Sequence, residues 1–281
     1  MNVVLAQRSA KLLDGAKWKG RDQYPAWQCF ADELERLLAF AEAYGQFSRF
    51  AARLQADIRE RNSALAELRV AAELADRGFH FIDWEPLGAG TKRGEFLVSV
   101  PEGASTFVEV KAPDWHGEIT GFRDVSRDPV RKEIVEARKR EPKYRNGSGG
   151  AYDPSSGIQF AIEKAYPKFT PDQSNLLIIP SDDLFISYQY EPNMIADMRL
   201  FGRDGLFTDA RYQRLGGLGM FWYEHRDGCV VSDMETFANP HALSATALPS
   251  SVLQRLHQRL PEIDRRGLSV GWVADQQLLK R

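Results

Sequence analysis

The chain has 281 residues, enough to bury a large core in one elaborated domain, and its 43% hydrophobic and 27% charged content is that of a water-soluble globular protein. A net charge of −2 speaks against a uniformly basic nucleic-acid coat, so any surface for a polyanion must be local. Two cysteines, Cys29 and Cys229, lie far apart without a CxxC, which removes a disulfide framework and a zinc cluster and favours a reducing, cytoplasmic setting. The first residues carry a four-residue apolar run, too short for a signal-peptide core or a membrane span, so no membrane partner is expected.

Residues 1–20 carry little pattern. From Pro25 to Arg77 the apolar positions recur at three and four, as Phe30, Leu34, Leu37, Leu38 and Ala41, then Phe47, Phe50, Ala51 and Leu54, then Leu65, Leu68, Ala72 and Ala75. This predicts three helices, broken at Gly45 and at Arg61-Asn62-Ser63, with Ser63 capping the third and Gly78 ending it in a left-handed conformation. The aromatic residues Trp27, Phe30, Phe40, Phe47 and Phe50 suit a core, while leaving room for a homodimer or a protein partner through these helices.

Phe79–Trp84 alternates as a strand, and Leu87–Gly94 is a loop whose glycines do not open a helix and so do not cradle phosphate. Phe96–Val100 and Phe107–Lys111 read as two strands around a turn at Pro101–Ser105. Between Arg123 and Arg145 nine basic residues face five acidic ones, within a basic insertion at about 114–157; Arg138, Lys139 and Arg140 are its densest run. That run fits a solvated helix with internal ion pairs or a flap over a phosphate backbone. Ile158–Phe169 reads as a helix with Ile158, Ala161, Ile162 and Ala165 inward. Leu176–Pro180 is apolar enough for a strand buried on both faces. A strand at Leu184–Tyr190, a short helix at Pro192–Leu200, a hairpin from Gly216–Tyr223 to Cys229–Ser232 and a helix at Ser251–Leu260 complete the chain. The order predicts an α/β (α+β) protein with a mixed sheet flanked by helices.

One strand is anomalous. Glu109 and Lys111 are two residues apart and leave the same face, between Val108 and Val110 on the other. Two explanations stand side by side: an edge strand with a solvated face, or a hydrolytic site in which the carboxylate holds a metal and the ammonium serves the attacking water. His116, in the loop that follows, is expected to be a bystander, and Glu73, out of phase with Glu67 on its helix, is expected in solvent.

Taken in order, a Glu-bearing helix, a strand, an acidic residue before the next strand, Glu-x-Lys on the third, and a helix leading to a buried strand resemble the PD-(D/E)XK nuclease superfamily, in an uncharacterised branch. Glu109-Val110-Lys111 matches the Glu-x-Lys half; Glu95 stands where the family usually has Asp, with Gly94 in place of Pro; Glu67 matches the first-helix Glu. The resemblance covers about residues 63–190 and implies a restriction-endonuclease-like core at 63–245, an N-terminal helical extension at 1–62 and a C-terminal helical tail at 246–281. It implies that Glu95, Glu109 and the Val110 carbonyl hold Mg²⁺ or Mn²⁺, that Glu67 serves a second metal or its water shell, and that Lys111 positions the water. Gln159, Lys164 and Lys168, with Arg138, Lys139 and Arg140, would then bind nucleic acid, DNA ahead of RNA. The Glu at 95 also feeds an alternative, an inactive nucleic-acid-binding or assembly module retaining the fold. A small-molecule hydrolase is the weakest option, because no GxSxG elbow or nucleotide loop is present.

Overall fold

The computed structural model describes residues 8–9, 12, 27–56, 58–112, 154–181, 200–201, 205–226 and 229–257. The basic run Arg138, Lys139 and Arg140, His116, and the segments expected at 184–190 and 192–199 lie outside them, as does 258–281.

Three helices come first: α1 (Trp27–Ala43), α2 (Phe47–Leu54) and α3 (Ile58–Asp76). The break at Gly45 is present, with φ of 69°. The second break is not where the sequence pattern put it. Helix α3 runs unbroken through Arg61-Asn62-Ser63, and the chain turns instead between Leu54 and Ile58. The polar trio has tertiary work inside the helix. Arg61 Nε donates to the Leu54 carbonyl at 3.1 Å and its NH2 to that of Ala56 at 3.4 Å, satisfying the exposed end of α2. Ser63 Oγ bonds Glu67 at 3.2 Å instead of capping. At the other end Gly78, with φ of 80°, is the left-handed residue that stops α3.

A six-stranded sheet follows in strictly sequential order: β1 (His80–Trp84), β2 (Phe96–Ser99), β3 (Ser105–Val110), β4 (Asn175–Ser181), β5 (Gly217–Arg226) and β6 (Cys229–Ala238). The first three form an antiparallel meander, β3, β4 and β5 are mutually parallel, and β6 returns antiparallel. Helix α4 (Pro154–Ala165) lies in the connection between the parallel strands β3 and β4, and α5 (Ser250–Leu256) follows β6. The sheet is therefore mixed, with helices on both faces. Strand β3 is interior, which removes the edge-strand explanation of Glu109 and Lys111.

Strand alternation sorts the core. Phe96, Val98, Val108, Val110, Leu176, Ile178 and Phe221 face α1, α2, α3 and α5. Phe107, Leu177, Ile179, Leu218 and Met220 face α4. Phe40 and Phe50 are fully buried in the first layer, as their core reading required, so α1 and α2 share a core with the sheet. Two buried ion pairs stitch that layer. Arg69 on α3 grips Glu33 on α1 through Nε and NH2, both at 2.7 Å. Glu73, expected in solvent, is 1% exposed. It pairs with Arg77 four residues on (2.9 Å) and accepts from Ser232 Oγ on β6 at 2.8 Å, so the sheet behind α3 supplies the partner that helix phase alone does not reveal.

A buried carboxylate stripped of its guanidinium is costly, on the order of 3–5 kcal/mol. Arg69→Met is therefore expected to lower unfolding stability by about that amount, and Arg69→Leu combined with Glu33→Leu to regain most of it. Chemical denaturation of the full chain checks this, and equal stability of Arg69→Met and wild type would refute it.

Candidate functional site

Glu95 immediately precedes β2 and Lys111 immediately follows β3, so both lie at one end of the antiparallel pair. Phe96 pairs with Val108, which sets Glu95 opposite Glu109, and the Glu95 amide donates to the Val108 carbonyl at 3.2 Å. Because β3 and β4 are parallel, this end is also their carboxyl end, where open sheets expose loops for ligands. Glu109 is completely buried, on the α4 side of the sheet with Phe107.

Three features of the local chain place these groups. Gly94 lies flat on the Phe107 ring: a Cβ there would fall 2.2 Å from its Cζ. That close approach, impossible for proline, explains why glycine precedes Glu95. The loop between β1 and β2 closes on itself through Gly94 N to the Pro86 carbonyl (3.0 Å) and Glu85 N to the Glu95 carbonyl (3.0 Å), with Glu85 held at φ of 59°. The loop is also tied to the turn after α4, where Ala89 N donates to the Lys168 carbonyl at 2.8 Å.

The resulting cluster has four carboxylates and four cations. Lys111 Nζ contacts Glu109 Oε1 and lies 3.8 Å from Glu95 Oε1. Lys168 Nζ lies 2.5 Å from the same Glu109 oxygen and 3.7 Å from the same Glu95 oxygen. Glu109 Oε2, equally buried, has no hydrogen-bond partner among the described residues. From the other face, Glu67 on α3 is clamped by Arg53 of α2, whose NH2 lies 2.6 Å from Oε1 and whose NH1 takes Oε2. Arg49, one turn earlier on α2, sets NH2 3.6 Å from Glu67, 3.3 Å from Glu85 and 3.7 Å from Glu95. The cluster thus wraps the end of the sheet and joins its two faces.

Charge crowding moves the titrations. Burial, then the Glu67 and Glu109 charges, push Glu95 up to about 7, against the pull of Lys111 and Lys168. Burial pushes the Lys111 ammonium down, but Glu109 foremost, with Glu95 and Glu67, outweighs it and leaves that pKa raised.

Of the residues singled out in the sequence, Glu67, Glu95, Glu109, Lys111 and Lys168 come together. Gln159 bonds Glu163 at 2.9 Å instead, and Lys164 lies exposed over the Phe160 ring at 5.3 Å. Arg49, Arg53 and Glu85 escaped the sequence reading. Arg49 and Arg53 flank Phe50 at helical spacing, a pattern shared by any solvated helix face, and Glu85 sits in a loop.

Among the described residues no three His, Cys, Asp or Glu side chains stand as a ready cage for a metal. The cations explain this: Lys111, Lys168, Arg49 and Arg53 lie against the carboxylates. Even so, Glu95 and Glu109 fit a hard divalent ion. They are adjacent oxygen donors, and the orphaned, buried Glu109 Oε2 is an acceptor without a donor. Glu67 fits less well, because Arg53 already takes both its oxygens. No helix of the described residues is long and apolar enough to cross a membrane. No protein-family model matches the chain, and neither a curated protein nor a solved structure matches it.

Glu95 yields a signed prediction. Its folded pKa of about 7 lies above the ordinary 4.5, so the folded state binds the extra proton. Its contribution to stability is full below pH 4.5 and is lost as pH rises to about 7. Carboxyl NMR titration is expected to show one glutamate titrating near 7, lower in Glu67→Gln and higher in Lys168→Ala, and Glu95→Gln is expected to remove that loss of stability. A Glu95 midpoint near 4.5 would contradict the geometry.

Proposed function

We propose that this chain is a metal-dependent nuclease of the PD-(D/E)XK kind, acting on DNA in preference to RNA. One observation carries it: Glu95, just ahead of β2, and Glu109, on β3, sit side by side with Lys111 beside them, and the fully buried Glu109 has an oxygen, Oε2, without a hydrogen-bond partner among the described residues. The order of elements supports it, since α3, the β1–β3 meander, α4 and the parallel β4 follow the succession that the Glu-x-Lys resemblance implies.

Glu95, Glu109 and the Val110 carbonyl are the oxygens that would hold Mg²⁺ or Mn²⁺, which when bound supplies Lewis acidity and eases water ionisation near neutral pH. The protein's own groups do the rest. Were the carboxylates so engaged, Lys111 and Lys168, which lie on Glu109 Oε1, would be free to turn their ammonium groups to anionic oxygen. Lys111 holds the water whose oxygen forms the new bond to phosphorus; Lys168 holds an oxygen of the scissile phosphate and offsets its growing charge. That water gives up its proton to solvent, the bond to the leaving sugar oxygen breaks, and that oxygen takes a proton from solvent. Glu95 must be ionised to serve, so activity rises with pH through the range in which it loses its proton.

The test is cleavage of supercoiled plasmid and single-stranded oligonucleotides with Mg²⁺ or Mn²⁺. Nicking by wild type, abolished by EDTA and reduced about 10²-fold or more in Glu109→Ala and Lys111→Ala, is the expected result. Equal activity in the variants would refute the assignment. Salt-sensitive DNA binding without cleavage under any of these conditions would instead establish the inactive binding module, which the interposed cations also suit.

A further inference from the structure

The loop between β1 and β2 is held more firmly than a connection requires. Leu87 and Arg93 form an isolated antiparallel bridge across it. Within the bridge Gly88 N donates to the Lys92 carbonyl at 2.7 Å and Lys92 N to the Ala89 carbonyl at 3.3 Å. The loop is also pressed onto the turn after α4, where a Cβ on Gly88 would fall 2.3 Å from the Lys168 carbonyl oxygen. It is thereby fixed to two members of the cluster: Lys168 through this contact and the Ala89 bond, and Glu95 through the chain, two residues beyond Arg93.

The side chains on this frame face solvent. Leu87 is 61% exposed, the most exposed large apolar side chain among the described residues. Thr91, Lys92 and Arg93 are exposed as well. The bridge sets Leu87 directly beside Arg93, as in any cross-strand pair. Arg93 NH1 donates to the Glu85 carbonyl at 2.8 Å, which aims the guanidinium and leaves donors to spare. The neighbouring acids are already engaged: Glu85 lies 3.3 Å from Arg49, and Glu95 lies among Arg49, Lys111 and Lys168. Two cations and one apolar side chain therefore stand together on a rigid loop at the rim of the cluster.

We propose that residues 87–93 are the subsite for the nucleotide next to the scissile phosphate, with Lys92 and Arg93 on its phosphate and Leu87 against its sugar. This deepens the nuclease reading and rests on it. A cation beside an apolar side chain matches the two chemistries of a nucleotide, and phosphate contacts are what set a strand in register. Arg93 and Glu95 are separated by at most about 7 Å of chain, so the phosphate held by the loop is a close neighbour of the one being cut. The tie to Lys168 keeps the two in fixed relation, which is how a positioned substrate gains rate.

The experiment measures binding of fluorescein-labelled single-stranded and duplex oligonucleotides to the full chain in EDTA, by anisotropy over a salt series. Lys92→Gln leaves every backbone bond of the loop in place, and is expected to lower the slope of log affinity against log salt by about 0.7–0.9. Lys92→Gln combined with Arg93→Gln is expected to lower it by about twice as much and to cost about 10-fold or more in affinity at low salt. Leu87→Ser is expected to weaken binding without changing the slope, and Lys92→Arg to bind as wild type does. Equal affinity and slope in Lys92→Gln and wild type would overturn the inference, and so would a wild type that binds neither oligonucleotide. Cleavage by wild type and its loss in Glu109→Ala and Lys111→Ala decide the nuclease reading separately, so either can fail without the other.

Discussion

The carboxylate of Glu109 is the constraint on which this molecule is arranged. It stands on an interior strand with no exposure to solvent, where an unpaired negative charge is far more expensive than any single apolar contact can offset. Everything around it answers that cost. Lys111 follows two residues later on the same face, Lys168 is delivered by the turn after α4, and Glu95 is lifted toward neutrality. A sheet built only for stability would place a valine at this position.

The answer is distributed over both faces of the sheet. Glu109 and Lys168 come from the α4 side, Glu67, Arg49 and Arg53 from the side of α2 and α3, and Glu95 lies at the rim where the two meet. The helices ahead of β1 are consequently part of the site and share its core. The sharp loop before β2, folded onto Phe107 and bonded to the Lys168 carbonyl, fixes the rim. Its glycine at 94, pressed against the Phe107 ring, and its Glu85 at positive φ make sense in terms of what they hold.

Much of this architecture was legible from residue order. Apolar spacing located α1, the meander, α4 and the buried β4, because those patterns are imposed by one helix period or one strand alternation. What failed were the places where a polar residue satisfies a partner outside its own helix. Arg61 reads as a helix break because its acceptors, the Leu54 and Ala56 carbonyls, lie across a turn that residue spacing does not reveal. Helix phase points Glu73 to solvent because Ser232, which joins its i,i+4 partner Arg77, becomes a neighbour only after the sheet forms. The site divided the same way. Glu109 and Lys111 announced themselves by sharing a strand face with buried neighbours, whereas Arg49 and Arg53 look on paper like any solvated helical arginines.

The parallel pairing of β3 with β4 has a kinetic consequence. Glu109 is the partner of Leu177, and the two can meet only after the chain from 111 to 174 has closed on itself. Loop closure of that size is slow relative to forming the α1–α3 layer or the meander, whose contacts are local. Lys168 lies within the segment that must close, so the strand that buries the glutamate and the ammonium that neutralises it come from one loop closure. Burial of that carboxylate and delivery of its counter-charge are thereby coupled through the connectivity of the chain.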